Sequence, residues 1–438
     1  MIKIAFLGAG STVFAKNVLG DCLCSDILQD ISIALHDIDP VRLDDSKRML
    51  EHIVRNLGRK DVTIDAFPDR RTALDGAQYV VNCIQVGGYE PCTVTDFEIP
   101  KKYGLRQTIG DTLGIGGIFR ALRTIPVMDD FAKDMEQLCP DALFLNYTNP
   151  MSILSGYMQC YTPVKTIGLC HSVQVCVPVL LDMLKMNEYA DGCRWEIAGI
   201  NHQAWLLSIA DRAGNDLYPE IKRRAADPDG GYDIQNDLVR LDMMQRLGYY
   251  VTESSEHSAE YSMWYIKSRY PELIDRYNIP LDEYPRRCVE QIENWKKMRG
   301  ELVENDTLSH TPSREYAVRI IEAMETDAPF RVHGNVLNTG LITNLPAEAC
   351  VEVPCMIDRN GVNPCFVGAL PEQCAAANRL MINTQLLTIQ AAVTRKKEDV
   401  YRAAMFDPHT AAEFSPDDIR SLCDDLFAAH KDWLPDYE

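Results

Sequence analysis

The amino-acid sequence predicts an α/β fold, in which a doubly wound parallel sheet is followed by a second lobe of α+β structure. In the first part of the chain, short apolar runs alternate with helical patterns, which is typical of parallel strands joined by helices. From residue 195 onwards the pattern changes, and the stretch 333–368 becomes rich in strands and turns before the chain closes with helices. We therefore predict two domains, residues 1–194 and residues 195–438.

The first lobe supplies its elements in a regular order. IKIAFLGAG predicts a strand, TVFAKNVLGDCL a helix and ISIALHDID a second strand. Further strands are predicted in VTIDA, AQYVVNCIQV, DALFLNYTN and VKTIGLC, with the helical pattern GIFRALRTIPVMDDFAKDMEQL among them. The second lobe opens with RWEIAGINHQAWLLSIA, continues through GNVLNTGLITNLP and ACVEVPCMIDRNG, and ends in the helical CAAANRLMINTQLLTIQAAVTRKKEDVYRAAMF. Its stretch RRAADPDGGYDIQND, rich in Gly and Asp, is predicted to be the most flexible part of the chain.

Composition excludes several classes of protein. The 438 residues carry a formal net charge of −20, whereas nucleic-acid binding needs clustered Lys and Arg. No long apolar run is present and the first strand begins without a basic, cleavable leader, so we expect no membrane association. The fifteen cysteines include no CxxC pair. This argues against a disulfide framework or a structural zinc ribbon, and it favours the reducing cytoplasm.

GAGSTVF, between the first strand and its helix, predicts a dinucleotide-binding turn. Gly8 and Gly10 let the backbone approach a pyrophosphate, which would rest on the helix N-terminus at Ser11 and Thr12. Asp37 follows the second strand, 27 residues after Gly10, and no Arg adjoins it to receive a 2′-phosphate, which favours NAD over NADP. The third glycine of the usual fingerprint is absent, and the alternative is a Gly-tolerant turn in an unrelated fold. We predict a Rossmann-type lobe like that of lactate and malate dehydrogenases.

Polar side chains follow the next two predicted strands. LNYTNPM places Asn146 and Asn149 where an amide bonds a ribose or a substrate hydroxyl, or caps a turn; we assign Asn146 to the cofactor. Cys170 and His171 follow the next strand, and His202 lies in the later segment AGINHQAW. Alone, each is more often a core residue, yet ligands in this architecture bind at the carboxyl ends of strands. A thiolate and an imidazole would hold a divalent cation and leave positions open for substrate; their softness suggests zinc or iron before manganese.

Long motifs, in order along the whole chain, resemble glycoside hydrolase family 4. They are GAGSTVFAKNVLGD, LHDIDPVRL, VGGYEPCTVTDFEIP, QTIGDTLGIGGIFRALRTIPV, NYTNPM, GLCHSVQ, GINHQAW, GYYVTESSEHSAEY, PLDEYPRRCVEQ and MFDPHTAAEFSPDDI. Within the family they are similar to the bacterial α-galactosidase (melibiase) branch. The NAD-dependent enzymes of this family are exceptions to the usual scheme of two carboxylates. The resemblance implies NAD and a divalent metal, Mn²⁺, as cofactors.

The resemblance also implies hydrolysis by transient oxidation of the sugar. NAD⁺ would take hydride from C3, a tyrosinate would remove the acidified C2 proton, and the C1 aglycone would leave. Water would then add, and the NADH formed would reduce C3 again. Cys170 and His202 match the metal ligands of the family, Asn149 matches a substrate-binding amide, and Tyr261, in SAEYSMWY, matches the base. A phenol becomes a useful base only if a nearby cation favours its ionised form.

Three assignments have an alternative. Tyr250 and Tyr265 lie close to Tyr261 in the sequence and compete with it for the role of base. His171 stands where the phospho-α-glucosidase branch carries an acidic general acid, so it either protonates the leaving oxygen or only contacts the sugar. His257, between two glutamates, could ligate the metal, but we interpret it as the solvated start of a helix.

The expected substrate is a neutral α-galactoside such as melibiose. Phosphosugar branches of the family carry an Arg shortly after the Gly-Gly pair, suited to bidentate phosphate binding, whereas VGGYEPCTV places Cys92 there. Another family arginine falls near Arg286 and Arg287, and we assign Arg287 to the substrate. Asp111, in IGDTLGIGG, either bonds sugar hydroxyls or forms a turn; we include it among the substrate-binding residues.

Other functions compete with an α-galactosidase. An α-glucosidase or an α-galacturonidase would use the same residues. A 2-hydroxyacid dehydrogenase would share the cofactor lobe, but it needs a His–Asp pair and an Arg that clamps the carboxylate. A non-catalytic, NAD-responsive binding protein is disfavoured, because the metal pair and the base are both present. The resemblance further implies a homodimer or a homotetramer.

Overall fold

The computed structural model describes residues 1–227 and 229–438. Pro228, which falls in the stretch predicted to be flexible, lies outside the described residues. The described chain folds around one sheet of twelve strands. The strands are β1 (Ile2–Leu7), β2 (Ile31–His36), β3 (Val62–Phe67), β4 (Tyr79–Asn82), β5 (Leu143–Asn146), β6 (Lys165–Gly168), β7 (Arg194–Ile200), β8 (Gln203–Ala210), β9 (Tyr250–Val251), β10 (Phe330–Leu337), β11 (Cys350–Asp358) and β12 (Gly361–Pro364).

Helices connect the strands and complete the chain. In the first lobe they are α1 (Thr12–Cys24), α2 (Pro40–Leu57), α3 (Arg70–Leu74), α4 (Val94–Lys102), α5 (Gly114–Leu138), α6 (Met151–Tyr161) and α7 (Ser172–Met183). In the second they are α8 (Tyr218–Ala225), α9 (Leu238–Leu247), α10 (Ser255–Glu260), α11 (Glu272–Arg276), α12 (Glu283–Val303), α13 (Ala317–Thr326), α14 (Glu372–Thr394), α15 (Lys397–Phe406), α16 (Pro408–Glu413) and α17 (Pro416–Ala429). Of the helices in the described chain, none has the length and apolar character that crossing a membrane requires.

The first six strands form the parallel half of the sheet, in the order β3-β2-β1-β4-β5-β6. The strand β1 pairs in parallel with β2 on one side and β4 on the other. This is the switch point of a doubly wound sheet, at which ligands bind. Ile4 and Phe6 of β1 pack into one core, whereas Ala5 and Leu7 pack into another, so the strand is buried on both faces, as in other parallel sheets. The predicted fold class is confirmed.

The second half of the sheet is antiparallel and continues the first without a break. The strand β10 pairs with β6 through Asn335 and Gly168, and the order then runs β11-β7-β8-β9, with β12 beside β11. Two strands from late in the chain, β10 and β11, therefore separate β6 from β7. The predicted division at 194/195 falls at the start of β7, and the sheet extends across it.

Candidate active site

The turn after β1 has the geometry that the GAGS motif predicts. Gly8 has φ of +89°, and a Cβ there would lie 2.4 Å from the carbonyl oxygen of Cys83, so only glycine fits. A Cβ on Gly10 would lie 2.7 Å from Oδ2 of Asp37. The same oxygen accepts a hydrogen bond from the N–H of Gly10 at 2.6 Å. The ends of β1 and β2 are thus joined next to the N-terminus of α1.

The start of α1 is open to an anion. Ser11 is exposed at the N-cap position, and its side chain makes no capping hydrogen bond, so N–H groups of the first turn point outwards without a side-chain partner. The hydroxyl of Thr12 is buried and accepts a hydrogen bond from Oγ of Ser46 at 3.0 Å. With the glycine turn for the pyrophosphate and Asp37 for the ribose, these residues fit a dinucleotide.

Asn146, the last residue of β5, and Asn149, three residues later, differ in the hydrogen bonds of their amides. Asn146 is fully buried; its Oδ1 accepts from Nδ2 of Asn82 at 2.9 Å, and its Nδ2 donates to Oγ of Ser155 at 3.1 Å. Its predicted contact with the cofactor stays a prediction. Asn149 is half-buried, its carbonyl accepts from Nε of Arg120 at 3.2 Å, and its Oδ1 accepts from the first turn of α6. Among the described residues its Nδ2 has no partner, which leaves a donor for substrate.

Cys170, His202 and Glu253 bring one donor atom each to within 4.8 Å of one another. Cys170 follows β6, His202 occupies the turn between β7 and β8, and Glu253 follows β9. Nε2 of His202 lies 3.6 Å from Oε2 of Glu253. The structure therefore places the two predicted metal ligands together and adds a carboxylate that sequence reasoning missed.

Backbone strain accompanies this cluster. His202 has φ of +60° and Glu253 has φ of +69°, the left-handed region that costs a non-glycine residue about 1–3 kcal/mol and is often retained at active sites. Glu253 is one of 64 acidic residues, and no spacing singles it out. Two signals in the sequence pointed to it: it stands two residues after β9, the kind of position that had identified Cys170, and it lies within the family motif GYYVTESSEHSAEY.

The protonation of the cluster depends on whether a cation is bound. Burial raises the pKa of the Cys170 thiol to about 11, and the Glu253 carboxylate acts in the same direction. A divalent cation between the donors would instead favour the thiolate. Sulfur, nitrogen and oxygen donors are all accepted by first-row divalent metals. The residues therefore fit a metal ion.

His257 is buried beside this cluster, so the interpretation as a solvated helix start is wrong. Its Nδ1 lies 3.8 Å from Oε1 of Glu253, and its ring lies edge-on to that of His202 at 4.6 Å. The reason is the docking of α10: Glu260 accepts hydrogen bonds from the backbone N–H groups of residues 108–110, which turns the helix inwards. Burial lowers the pKa of His257 to about 3, so its imidazole is neutral.

Tyr261 is the tyrosine that reaches the cluster. Its hydroxyl lies 3.1 Å from Nδ1 of His202. The competitors bond elsewhere, Tyr250 to Asp237 at 2.6 Å and Tyr265 to Asp242 at 2.9 Å. Burial raises the pKa of Tyr261 well above its usual value, and neighbouring carboxylates act in the same direction. A positive charge at the cluster is therefore what the phenol needs to ionise.

His171 forms an ion pair with Glu315, which is distant from it in the sequence. Its Nε2 lies 2.7 Å from Oε2 of Glu315, which holds the pKa of His171 above its usual value. The imidazole is half-exposed and lies beside the ring of Tyr147, with 6.1 Å between their centroids. A protonated imidazole at the edge of the site can give up a proton, as the predicted role requires.

The remaining predicted substrate residues are Asp111 and Arg287. Asp111 is buried and is close enough for its charge to raise the pKa of Tyr261. Arg287, on α12, pairs with Glu256 at 3.2 Å and with Glu283 at 2.7 Å; it is half-exposed, and its contact with substrate stays a prediction. Cys92 is buried beneath the Gly-Gly turn and offers no phosphate-binding group.

Comparisons with known proteins identify the family of the chain. The model of the Family 4 glycosyl hydrolase matches residues 3–186, and that of the Family 4 glycosyl hydrolase C-terminal domain matches residues 197–410. An alpha-galactosidase of Bacillus subtilis (strain 168) is 63% identical over 438 residues, which cover 100% of both chains. An alpha-galactosidase of Rhizobium meliloti (strain 1021) is 36% identical over 446 residues, covering 99% of this chain and 89% of the relative.

A solved structure shares the whole fold. A 6-phospho-alpha-glucosidase from gut microorganisms, in complex with NAD and Mn²⁺, superposes with a TM-score of 0.80 over 100% of both chains, at 19% identity. The family models, which match residues 3–186 and 197–410, confirm the resemblance that the motifs predicted over nearly the entire chain. Because both halves match the family and a full-length relative shares more than half of its residues, the chain belongs to glycosyl hydrolase family 4.

Proposed function

We propose that this chain is an α-galactosidase that cleaves a neutral α-galactoside with the help of NAD⁺ and a divalent metal, Mn²⁺. The observation that carries the proposal is the contact between Tyr261 and His202, within a cluster that also holds Cys170 and Glu253. A base joined to a metal site suits proton removal beside a carbonyl and is foreign to a two-carboxylate glycosidase. The 63% identity to a bacterial alpha-galactosidase supports the substrate class.

The two cofactors have residues that fit them. Gly8, Gly10, Ser11, Thr12 and Asp37 would hold NAD, and the cluster would hold the metal. When bound, they supply transient oxidation of the sugar at C3 and stabilisation of negative charge on its oxygens. A solved structure of the same fold that contains NAD and Mn²⁺ supports this assignment.

The chain's own residues move the protons. Tyr261 takes the proton from C2, since its phenol oxygen is held by His202 at the edge of the cluster. His171 gives a proton to the leaving oxygen at C1. Asn149 orients the sugar through its Nδ2, which has no partner among the described residues, and Asp111 accepts hydrogen bonds from sugar hydroxyls.

The residues at two positions of the site bear on whether the substrate is charged. The position that would bind a phosphate in phosphosugar branches is Cys92, which is buried, and Arg287 is neutralised by two glutamates. Without an unpaired arginine at either position, a 6-phosphate or a uronate carboxylate would have no charged partner there. This arrangement favours an uncharged hexoside.

Deuterium incorporation tests the proposal. In D₂O, with NAD⁺, Mn²⁺ and a thiol reductant, released galactose should carry deuterium at C2, because elimination removes that proton whereas direct displacement at C1 does not. No net NADH should appear. Retention of protium at C2 would contradict the proposal, and accumulation of NADH from lactate or malate would identify a dehydrogenase instead.

A substrate panel and a mass measurement complete the test. Rates on matched galactosides, glucosides and uronides should be highest for the galactoside; a higher rate on a glucoside or a galacturonide would assign the chain to a sibling activity. We propose that the protein forms a homodimer or a homotetramer. We also propose that it is cytoplasmic, because its fifteen cysteines are free thiols, which suit a reducing compartment. Light scattering of the purified protein measures the assembly.

A further inference from the structure

A segment of the second lobe contacts the imidazole of His171 through Glu315. Glu315, just before α13, is 144 residues away in sequence, yet its Oε2 lies 2.7 Å from Nε2 of the imidazole. The Glu315 side chain is only 8% exposed, and its carboxylate has no other hydrogen-bond partner among the described residues. Burying a carboxylate costs free energy unless it is paired. The pairing with His171 therefore explains why a glutamate is tolerated at this position.

The contact leaves one ring nitrogen available. Within the described part of the chain, Nδ1 of His171 makes no hydrogen bond. The ring is flanked by Tyr147, with 6.1 Å between centroids, and by Tyr316, which meets it edge-on at 6.4 Å. With Nε2 held by the carboxylate and two aromatic rings packed around the imidazole, the rotation of the ring is restricted and Nδ1 is left free to act.

The segment that carries Glu315 is itself anchored. Asp21, on α1, accepts hydrogen bonds from the backbone N–H of Ser313 at 2.7 Å and from its hydroxyl at 2.6 Å. Oγ of Ser313 in turn accepts from the N–H of Glu315 at 3.0 Å. The hydroxyl of Tyr316 donates to the carbonyl of Cys170 at 2.7 Å. The helix that begins at the dinucleotide turn is thus linked to the residue pair beside the metal cluster.

We propose that Glu315 is a positioning residue for catalysis, which holds Nε2 of His171 so that Nδ1 delivers a proton to the leaving oxygen. The inference rests on the proposed function. In that step the C2–H electron pair forms the C1–C2 double bond, the C1–O bond breaks, and its electron pair takes the proton from Nδ1. The C2 proton passes to Tyr261. Glu315 neither donates nor accepts a proton in this step.

Leaving-group dependence separates this role from a structural one. An aryl galactoside such as p-nitrophenyl α-galactoside leaves without protonation, whereas the sugar hydroxyl of melibiose needs a proton. In the holoenzyme with NAD⁺ and Mn²⁺, Glu315→Ala should lower kcat/KM about 10- to 100-fold on melibiose and leave the aryl galactoside within about threefold. Glu315→Gln should recover part of the loss, because its amide oxygen still accepts from Nε2. Glu398→Ala, at an exposed glutamate paired with Arg420, is the matched control.

A double variant closes the test. If Glu315 acts through His171, then His171→Ala combined with Glu315→Ala should be no slower on melibiose than His171→Ala alone, since residues that act as a unit are not additive. Equal losses on both glycosides, or a further loss in the double variant, would overturn the inference. A wild-type holoenzyme that cleaves neither glycoside would instead refute the proposed function, so the two failures are distinguishable. Circular dichroism of each variant reports folding, and the Gln variant keeps the test valid if the Ala variant unfolds.

Discussion

The hydroxyl of Tyr261 lies 3.1 Å from Nδ1 of His202, while Nε2 of the same ring faces Glu253 at 3.6 Å. One imidazole therefore joins the phenol to the candidate metal site. A cation bound by the donor atoms would be separated from the phenol of Tyr261 by this one ring and would lower the pKa of the phenol. Hydrogen-bond partners of this kind also orient the ligands of metal sites. This geometry separates the base from the other tyrosines and yields the first prediction.

Tyr261→Phe should lower turnover far more than it weakens metal binding. Loss of the base should lower kcat about 10²- to 10⁴-fold, whereas the affinity for Mn²⁺ should fall by about tenfold, as expected for an outer partner of a ligand. Steady-state kinetics and isothermal titration calorimetry measure the two quantities. Tyr265→Phe, whose hydroxyl bonds Asp242, is the control and should keep activity. A variant that loses both quantities to the same degree would show that Tyr261 is only structural.

Glu253→Gln should weaken metal binding in the absence of substrate. The carboxylate belongs to the three-donor cluster, and removing its charge should raise the Kd for Mn²⁺ at least about tenfold, because even outer partners typically have effects of this size. Calorimetric titration of the substrate-free protein gives the Kd directly. Glu256→Gln, three residues further along and paired with Arg287, should bind Mn²⁺ like the wild type. Unchanged affinity in Glu253→Gln would remove this residue from the ligand set.

Asp37 should decide the choice of dinucleotide. Its carboxylate lies at the end of β2, where it holds the Gly10 N–H and would repel a 2′-phosphate. Asp37→Ser should weaken NAD⁺ binding about 10- to 100-fold, the value of a hydrogen bond to a charged group, and should narrow the preference over NADP⁺. Fluorescence titrations with both nucleotides test this, with Asp65→Ser, on the exposed side of β3, as the control. A variant that keeps the wild-type preference would contradict the assignment.

Mild acidification should lower the free energy of unfolding, because His333 is buried in its neutral form. Its ring is buried against Trp195, and its Nε2 lies 3.2 Å from the carbonyl of Ile197; burial lowers the pKa of His333 to about 4. The unfolded chain, with a histidine pKa of ~6.5, binds the proton first, so this contribution is complete above about pH 6.5 and is lost as the pH falls towards 4.

Between pH 7 and pH 5 this residue should lower the free energy of unfolding by about 2 kcal/mol. Urea denaturation at both pH values measures it, and His333→Gln, which keeps a donor for the carbonyl but does not titrate, should remove that part of the loss. The same pH dependence in the variant would assign the acid sensitivity to other groups.

Local sequence patterns were sufficient to predict the strands and helices of the first lobe and most of its cofactor-binding turn. Gly8 and Gly10 are required by close contacts to Cys83 and Asp37, and the spacing of the two strands already placed Asp37 there. Cys170 and His202 were identified by the ends of their strands and by the family motifs, and the structure brings them together. His257 was misjudged because a helix start between two glutamates resembles a solvated one, whereas tertiary packing buried it.

By itself, the sequence determined the parallel half of the sheet, the dinucleotide turn and the family, because alternating strands and helices and a glycine turn are set by neighbours in the chain. Only the tertiary structure decided that β10 and β11 lie between β6 and β7, that Glu253 joins the candidate metal site and that Glu315 contacts His171. These partners are separated by many residues, and their approach depends on the pairing of strands across the whole sheet. No local pattern encodes that pairing.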